Sequence, residues 1–409
     1  MGSTIDQISG LRELFPALRR VDAGRELVYL DSAASTLRTT VVMEAERHFG
    51  STSYANVHRG VYRLAQEADA AYERSRRITQ QFLGARYSSE IIFTSGTTAG
   101  INLIAQGWGG VHLNPGDEIL LTLMEHHANI VPWRIVANKT GATIKVVPLL
   151  ADGSIAIEAV RERLTPRTKI FAFTHVSNVL GTVNPVAEFC ALAREVGAVT
   201  VVDGAQAVSH EPIDVQKLGA DFYLFSGHKV FGPTGIGVLF GRRELLAALP
   251  PLLGGGGMID TVSFEKVTYA EPPSRFEAGT PPIVQAVGLA AALELLMTVG
   301  VSSIGEYLAP LAAELQRALA SMPGVRVFGS APAKAGICAF EVEGVHPHDV
   351  ATVLAGEGVC VRAGHHCCMP LMESLRVPAL SRASLALYNR VEDIERLVKA
   401  VHRAQVLLG

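Results

Sequence analysis

The stretch that decides the fold of this chain reads DFYLFSGHKVFGPTGIG and covers residues 221–237. Residues 222–225 form an apolar run with the length and composition of a buried strand. The run ends in Ser-Gly-His-Lys, and a turn rich in glycine and proline follows Lys229. Open α/β sheets bind their ligands at the carboxyl ends of strands. The pattern therefore indicates a lysine amine at a ligand-binding edge, although a lone lysine after a strand is also a common exposed side chain.

A second strand-like run, residues 199–202, leads to Asp203. Lysine amines form Schiff bases with aldehyde cofactors, and pyridoxal phosphate (PLP) is the common one. PLP also needs a carboxylate beside its pyridine nitrogen, because the protonated ring draws in electrons. Gln206 is then placed to hydrogen-bond the phenolic oxygen of the ring. Alone, Asp203 would be interpreted as a helix cap, but its pairing with Lys229 favours a PLP site.

Residues 94–100, which read TSGTTAG, are predicted to bind the phosphate of this cofactor. They follow a short strand-like run and precede an apolar, helix-like one. Backbone N–H groups at the start of a helix bind phosphate, and the helix dipole behind them favours the anion. As an isolated motif this loop would be only a helix cap.

A histidine pair occurs in MEHHAN, residues 124–129, after the predicted strand 118–123. His126 is placed to stack on the pyridine ring. The alternative is a partly buried histidine with a satisfied hydrogen bond, and the motif by itself leaves both interpretations open.

Taken together, these motifs resemble the group II cysteine desulfurases, the sulfur-mobilising, selenocysteine lyase-like branch of the PLP-dependent class V aminotransferase family. The resemblance runs from residue 28 to the last predicted helix. The stretches that match almost word for word are residues 57–60 (VHRG), 124–133, 177–181 (SNVLG), 203–208, 226–229, 276–281 (FEAGTP) and 364–367 (GHHC).

The resemblance implies the PLP-dependent aminotransferase-like fold (fold type I) and a homodimer with its sites at the subunit interface. It implies that Lys229 holds PLP, that His126 stacks on the ring and that Asp203 pairs with the ring nitrogen. The predicted cofactor-binding residues are Lys229, Asp203, Gln206, Ser226, His228, Thr97, Thr98, His126 and Asn178, with the partner subunit's Thr280.

The resemblance further implies the conversion of L-cysteine to L-alanine with a persulfide on Cys367. The sulfur then passes to an acceptor protein for iron–sulfur cluster or thio-cofactor synthesis, and L-selenocysteine is a second expected substrate. Lys229, Cys367 and His126 are the predicted catalytic residues. The predicted substrate-binding residues are Arg382, which suits a bidentate grip on the α-carboxylate, together with Arg362, Asn178 and His58.

Cys367 belongs to the stretch VRAGHHCCMP, residues 361–370. A thiolate is the competent nucleophile, and Arg362, His365 and His366 are candidates for lowering the pKa of this thiol. Four consecutive histidines and cysteines cannot all converge on one ion, since structural zinc sites separate the ligands of each pair. We therefore expect no metal.

Cys368 departs from the family pattern, which mostly has a small residue without a thiol at this position. A disulfide between sequence neighbours would be strained, because their Cα atoms lie only about 3.8 Å apart. We expect Cys368 to be a bystander thiol, while sulfur transfer between the two neighbours stays open.

Two rival functions differ in the residues they need. A PLP-dependent aminotransferase or epimerase on the same fold would have no use for Cys367. A non-enzymatic sulfur carrier would not need Lys229.

Composition narrows the choice of partners and compartment. The net charge of the 409 residues is −3 at pH 7, which gives no electrostatic case for binding nucleic acid or an anionic membrane. No signal-peptide pattern is present, and five cysteines, an odd number, favour reduced thiols. We expect a soluble, cytoplasmic protein.

The order of the predicted elements favours an α/β fold. Short strands rich in valine, isoleucine and leucine alternate with helical segments, which predicts a mostly parallel sheet covered by helices. We predict a large PLP-binding domain at residues 20–290. Residues 1–19 and 291–409 are predicted to form a smaller α+β domain that carries Cys367, with an N-terminal helix over residues 5–14. The predicted strands are residues 91–93, 118–123, 143–149, 169–173, 199–202, 222–225, 237–240, 325–328 and 337–342.

Overall fold

The computed structural model describes residues 8, 10–22 and 24–409. The strands are β1 (Val21–Asp22), β2 (Arg25–Glu26), β3 (Val28–Tyr29), β4 (Ile91–Thr94), β5 (Glu118–Thr122), β6 (Thr143–Val147), β7 (Thr168–Thr174), β8 (Val199–Asp203), β9 (Phe222–Ser226), β10 (Gly237–Gly241), β11 (Ile259–Val262), β12 (Val267–Tyr269), β13 (Val325–Phe328), β14 (Ile337–Val342), β15 (Val359–Cys360), β16 (Arg362–Gly364) and β17 (Leu380–Ser384).

The α-helices of the described residues are α1 (Thr40–Thr52), α2 (Arg63–Leu83), α3 (Thr97–Ile104), α4 (Gly110–His112), α5 (Val131–Thr140), α6 (Ile157–Arg163), α7 (Val186–Glu195), α8 (Val215–Leu218), α9 (Arg243–Ala248), α10 (Ile283–Val299), α11 (Val301–Ala320), α12 (Pro347–Gly356), α13 (Met369–Leu375) and α14 (Val391–Leu408).

A seven-stranded sheet forms the centre of the fold, in the order β4-β10-β9-β8-β7-β5-β6. The strands from β9 to β6 run parallel, whereas β10 is antiparallel to both β9 and β4. Successive residues of β9 alternate between two hydrophobic cores: Phe222 and Leu224 pack on one face, and Tyr223 and Phe225 on the other. The predicted α/β fold with a mostly parallel sheet is confirmed, and the alternation explains why both faces of these strands are apolar.

The central strands end one residue later than their apolar runs. Asp203 is the last residue of β8, and its backbone pairs with Thr174 in β7 and Leu224 in β9. Ser226 similarly closes β9, opposite Gly237. Backbone pairing does not depend on side-chain polarity, so a strand continues until its neighbours diverge. Polar side chains are thereby held rigidly at the carboxyl edge of the sheet.

A four-stranded antiparallel sheet, in the order β13-β14-β17-β16, forms the predicted α+β unit. Its strand β17 carries Arg382, and β16 leads into the loop with Cys367. The division into domains at residues 20 and 290 stays a prediction. Strand β3 pairs with β15, and this pairing ties residues 28–29 to the C-terminal part of the chain.

The predicted N-terminal helix falls partly outside the described residues. The described part contains a 3-10 helix, Leu11–Leu14. Shortly after it, the buried ring of Phe15 packs edge-on against Phe231 and Tyr388.

In the part of the chain that the structure describes, no single helix combines the length and apolar composition needed to cross a membrane. Helices α10 and α11 reach that length and composition only as a pair, which bends by 75°.

Candidate active site

A cavity of about 250 Å³ opens at the carboxyl ends of β8 and β9. It is lined by predicted residues from the seven-stranded sheet, the four-stranded sheet and the loops next to their strands. Those lining it are Lys229, Asp203, Gln206, Ser226, His228, Thr97, Thr98, His126, Asn178, Arg362, Arg382 and Cys367. His366, a candidate for lowering the pKa of the Cys367 thiol, lines it as well. Residues that sequence reasoning did not select also line it: Ala33, Ala34, Ala128, Thr174 and Ala205.

Lys229 closes a 3-10 helix, Gly227–Lys229, that directly follows β9. Burial lowers the pKa of its amine to about 8, and the nearby Asp203 carboxylate opposes this shift. Burial also raises the pKa of Asp203, whose Oδ1 accepts the N–H of Ala205 at 3.0 Å. The amine therefore has a sizeable neutral fraction near neutral pH, and only that form attacks an aldehyde.

The opposite end of the cavity is suited to phosphate. Helix α3 begins at Thr97, and the N-cap residue before it, Gly96, has φ 150° and offers no capping side chain. The Ser226 hydroxyl accepts the N–H of Thr97 at 2.9 Å and lies 2.8 Å from the Thr97 hydroxyl. Burial and the charge of Lys229 lower the pKa of His228 to about 4. Hydroxyls, a neutral imidazole and an open helix N-terminus make a set of donors for a phosphate.

His126 presents a neutral ring to the same cavity. Burial, followed by the charge of Lys229, lowers its pKa to about 4. Its Nδ1 accepts the N–H of Ala128 at 3.0 Å, which fixes the ring orientation. On another wall of the cavity, Gln206 donates from Nε2 to the carbonyl of Ala33 at 2.7 Å.

These residues fit PLP. A buried lysine amine, a carboxylate, a neutral imidazole and a phosphate cradle surround one cavity, and each matches one part of that cofactor. The fold brings Lys229, Asp203, His126 and Ser226 to one cavity, and their individual contacts with PLP stay predictions.

Glu125, which sequence reasoning missed, is a buried carboxylate that ties residues 122–129 to the end of β7. It is fully buried and accepts the Asn129 side-chain amide at 2.6 Å, the N–H of Thr174 at 3.0 Å and the Thr122 hydroxyl. Burial raises its pKa to about 8. A glutamate next to an apolar run is the one signal in the sequence that could have indicated it.

Cys367 sits in a loop with unusual backbone geometry. His366 and Cys367 both have left-handed conformations, with φ of 51° and 56°. Such residues persist only where surrounding contacts hold them. The Asn178 amide donates to the carbonyl of His366 at 2.8 Å, and the N–H of His127 donates to the carbonyl of Cys367 at 2.7 Å.

His366 does not supply the positive charge that was expected beside Cys367. It is buried and pairs through Nε2 with the carbonyl of Leu380 at 2.9 Å. Burial, followed by the charge of Arg382, lowers its pKa to about 3. His366 is therefore a neutral residue that fixes the loop.

Cys368 points into the core. It is fully buried, and its thiol donates to Asn178 Oδ1 at 3.1 Å. Burial raises the pKa of this thiol far above its usual range. A protonated thiol is a poor nucleophile, which supports the expectation of a bystander.

Arg382 faces the cavity from β17 and is almost fully buried. Its Nη1 donates to the carbonyl of Asn178 at 2.8 Å, and its Nη2 lies 3.2 Å from Asp31 Oδ1. Arg362 lies 3.7 Å from the other oxygen of Asp31. The Nε of Arg382 is buried without a partner, so one donor remains for an incoming carboxylate. Asp31 was missed because it is 351 residues away in sequence.

Thr280 and His58 do not line this cavity. Thr280 is exposed and borders a separate cavity of about 640 Å³ that also includes Leu253. His58 is exposed, with Nδ1 3.4 Å from Asp69 Oδ1 and its ring against Tyr72. Their predicted contacts stay predictions, and the one for Thr280 requires a second subunit.

Comparison with known proteins agrees with this geometry. The aminotransferase class-V family matches residues 28–397, and the chain belongs to that family. Within it, a cysteine desulfurase of Klebsiella pneumoniae (strain 342) is 48% identical over 403 residues, covering 98% of this chain and 99% of the relative. A cysteine desulfurase of Enterobacter sp. (strain 638) is 47% identical over the same length and with the same coverage.

Two solved structures are similar along nearly the whole chain. The cysteine desulfurase CsdA of Escherichia coli superposes with a TM-score of 0.91 at 44% identity, covering 98% of this chain and 99% of CsdA. The cysteine desulfurase of Thermococcus onnurineus NA1 has a TM-score of 0.89 at 37% identity, covering 98% and 97%. The predicted fold type is thereby confirmed.

Proposed function

We propose that this protein is a PLP-dependent cysteine desulfurase, which converts L-cysteine to L-alanine and retains the sulfur as a persulfide on Cys367. The observation that carries the proposal is that Cys367, Lys229 and Arg382 line one cavity, although they come from two different sheets of the fold. Full-length relatives named as cysteine desulfurases support it.

Arg382 binds the α-carboxylate of the substrate. Its unpaired Nε and its Nη2, which Asp31 can release, form a planar pair of donors. Holding the carboxylate there turns the α-carbon toward Lys229 and the thiol toward Cys367. When bound, PLP supplies the electron sink that stabilises negative charge at the α-carbon.

Lys229 moves the α-proton. Its pKa of about 8 places the amine close to the working pH, where one group can both take up and release a proton. The neutral ring of His126 adds no competing positive charge.

Cys367 attacks the substrate sulfur as a thiolate. An S–S bond forms, the substrate's C–S bond breaks, and its electron pair stays with the carbon fragment, which becomes alanine on protonation. One sulfur atom moves from cysteine to Cys367, so the step needs no external oxidant. Asn178 and Arg382, which line the same cavity, are both buried.

Transfer of the sulfur to an acceptor protein, for iron–sulfur cluster or thio-cofactor synthesis, completes the proposed function. Cys367 is half-buried and the neighbouring His365 is exposed, so the loop is reachable from outside. We further propose a homodimer, in which the partner subunit's Thr280 adds to the phosphate site, and L-selenocysteine as a second substrate.

An aminotransferase or an epimerase would not need the Cys367 thiol for its reaction. Two consecutive left-handed residues at the cavity are a costly arrangement, and the loop they form places the Cys367 thiol in the same cavity as Lys229 and Arg382. This favours sulfur transfer.

The test is product analysis with L-cysteine, following alanine and the protein-bound sulfur by mass spectrometry. Cys367→Ala is expected to lower alanine formation by at least about 1,000-fold, because the attacking sulfur is gone, while PLP stays bound. Cys368→Ala is the matched control and should keep most activity. Normal turnover in Cys367→Ala, with a persulfide found on Cys368, would reverse the two roles.

A further inference from the structure

Thr36 contacts the turn that carries Lys229 on both sides of that lysine. The Thr36 hydroxyl accepts the N–H of Phe231 at 2.8 Å and donates to the carbonyl of His228 at 3.0 Å. The N–H of Thr36 donates to the same carbonyl at 2.9 Å. His228 directly precedes Lys229, and Phe231 follows it by two residues. One threonine from a distant part of the sequence therefore bridges the backbone around the lysine.

The backbone of Phe231 is strained. Its φ is 64°, a left-handed conformation in which a bulky residue is a rare outlier. The ring is 1% exposed and packs edge-on against Phe15 and Tyr388, at centroid distances of 5.6 and 6.2 Å. A residue stays in such a conformation only where surrounding contacts hold it. The turn after Lys229 is thus fixed by its contacts and not by the preference of its own residues.

The hydroxyl of Thr36 is the critical one of these contacts. Within the described part of the chain, it is the one acceptor for the N–H of Phe231. The carbonyl of His228, by contrast, also lies 3.3 Å from the Ser35 hydroxyl, and so keeps donors if the Thr36 hydroxyl is removed. Thr36 and Phe231 are both buried, and a buried N–H without an acceptor is costly. Loss of this hydroxyl would therefore favour another conformation of the turn.

We infer that Thr36 is a positioning residue, which holds the backbone on both sides of Lys229 so that the amine stays at the cofactor cavity. Among the described residues, Thr36 is not one that lines this cavity, so it acts through the main chain of residues 228–231. The inference rests on the proposed function in one respect, namely that PLP attaches to Lys229. Without the hydroxyl, the strained turn relaxes and the amine spends less time where the cofactor binds.

The experiment measures the rate at which PLP attaches covalently to the full-length enzyme. Each variant is loaded with PLP, stripped of it and reloaded, and stopped-flow absorbance follows the second loading. Thr36→Val keeps the shape of the side chain but removes the hydroxyl. We expect its attachment rate to fall at least about fivefold, because the Phe231 N–H is left without an acceptor. Thr36→Ser keeps the hydroxyl and should restore the wild-type rate.

Thr39→Val is the matched control. Thr39 belongs to the same segment, is fully buried and caps helix α1 by accepting the N–H of Val42 at 3.2 Å. This variant also loses a buried hydrogen bond from an N–H to a threonine hydroxyl, but one that lies between residues 39 and 42. Urea denaturation should show a similar loss in the free energy of unfolding for both valine variants, whereas only Thr36→Val should slow the attachment of PLP.

Three results would overturn the inference: wild-type attachment in Thr36→Val, equal slowing in Thr39→Val, or slow attachment in Thr36→Ser. If Thr36→Val does not fold, Thr36→Ala takes its place, because it also lacks the hydroxyl. Borohydride reduction and peptide mapping of the wild-type enzyme test the proposed function separately. PLP found on a lysine other than Lys229 would contradict that function itself, whatever the rates of the threonine variants.

Discussion

At the scale of the residue, the site depends on what burial does to ordinary acids and bases. Burial lowers the pKa of Lys229 to about 8, close to physiological pH. It lowers the pKa values of His126, His228 and His366 so far that these rings are neutral throughout the physiological range. Burial raises the pKa of the neighbouring Asp203, and the charge of Lys229 opposes that shift. Burial therefore favours the neutral form of Lys229 and of all three histidines.

The pKa of Lys229 leads to a prediction for cofactor loading. In the cofactor-free enzyme, the rate of covalent attachment of PLP should rise with pH and level off above about 8, because only the neutral amine reacts. Asp203→Asn should move the midpoint to lower pH, since the carboxylate charge raises the pKa of Lys229. Stopped-flow absorbance measures the rate. Exposed Asp349→Asn serves as the control, and a midpoint near the usual lysine value of about 10.4 would contradict the prediction.

Arg382 leads to a second prediction at this scale. Arg382→Lys keeps the charge but loses the planar pair of donors. We expect kcat/KM for L-cysteine to fall about 10- to 150-fold, mainly through KM, which corresponds to one charged hydrogen bond of about 1.5–3 kcal/mol. Steady-state kinetics measures this. Arg362→Lys, at an exposed position, should have a smaller effect, and an unchanged KM in Arg382→Lys would remove the carboxylate role.

At the scale of the element, a buried ion pair joins helix α2 to strand β4 and to the FEAGTP segment. Arg76 donates to Glu277 through Nη1 at 2.8 Å and Nη2 at 2.9 Å. Glu277 also accepts the N–H of Phe93 at 2.7 Å and the Tyr72 hydroxyl at 2.8 Å. Arg76 is 1% exposed, and its guanidinium lies over the rings of Tyr72 and Phe93. The segment that carries Thr280 is anchored by this pair.

Glu277→Gln should therefore destabilise the protein strongly. Removing one partner leaves the Arg76 guanidinium buried without its counter-charge, and the free energy of unfolding should fall by about 3–5 kcal/mol. The exposed pair of Arg74 and Glu294 provides the control, and Glu294→Gln should cost less than about 1 kcal/mol. Urea denaturation compares the two variants. Equal shifts would mean that the buried pair contributes no more than the exposed one.

At the scale of the whole molecule, apolar side chains remain exposed around the second cavity. Leu252 and Leu253 are 44% and 67% exposed and border it together with Thr280. The proposed homodimer would cover this surface, and it would bring Thr280 toward the cofactor of the partner. Neighbouring exposed apolar residues favour an interface over an ordinary solvent-facing patch.

Leu253→Asp should accordingly weaken the dimer. Sedimentation velocity of the wild-type protein should give twice the chain mass of 43.6 kDa, and the variant should shift toward the monomer because a charge is placed in an apolar contact. Val406→Asp is the matched control, since Val406 is 63% exposed on α14. A wild-type monomer, or equal shifts in both variants, would contradict the proposed interface.

Much of the fold and cofactor site could be predicted from sequence because the signals are local. The strand-end positions of Asp203 and Lys229 follow from apolar runs of four or five residues and the turns after them. The pairing of Asp31 with Arg382, the hydrogen bond from Thr174 to Glu125, and the approach of His127 to Cys367 could not be predicted in this way. Each joins segments whose distance in space is set by packing and not by any periodic pattern.

By itself, the sequence determined the α/β class, the lysine and carboxylate of the cofactor site, and the presence of a reactive cysteine motif. Only the tertiary structure decided which member of each adjacent pair faces the cavity. Cys367 and His366 line it, whereas Cys368 enters the core and His365 remains exposed. The reason is physical: two successive left-handed residues turn the chain between neighbours of identical chemistry. Contacts from Asn178, which is far away in sequence, and from Leu380 on β17 hold that turn.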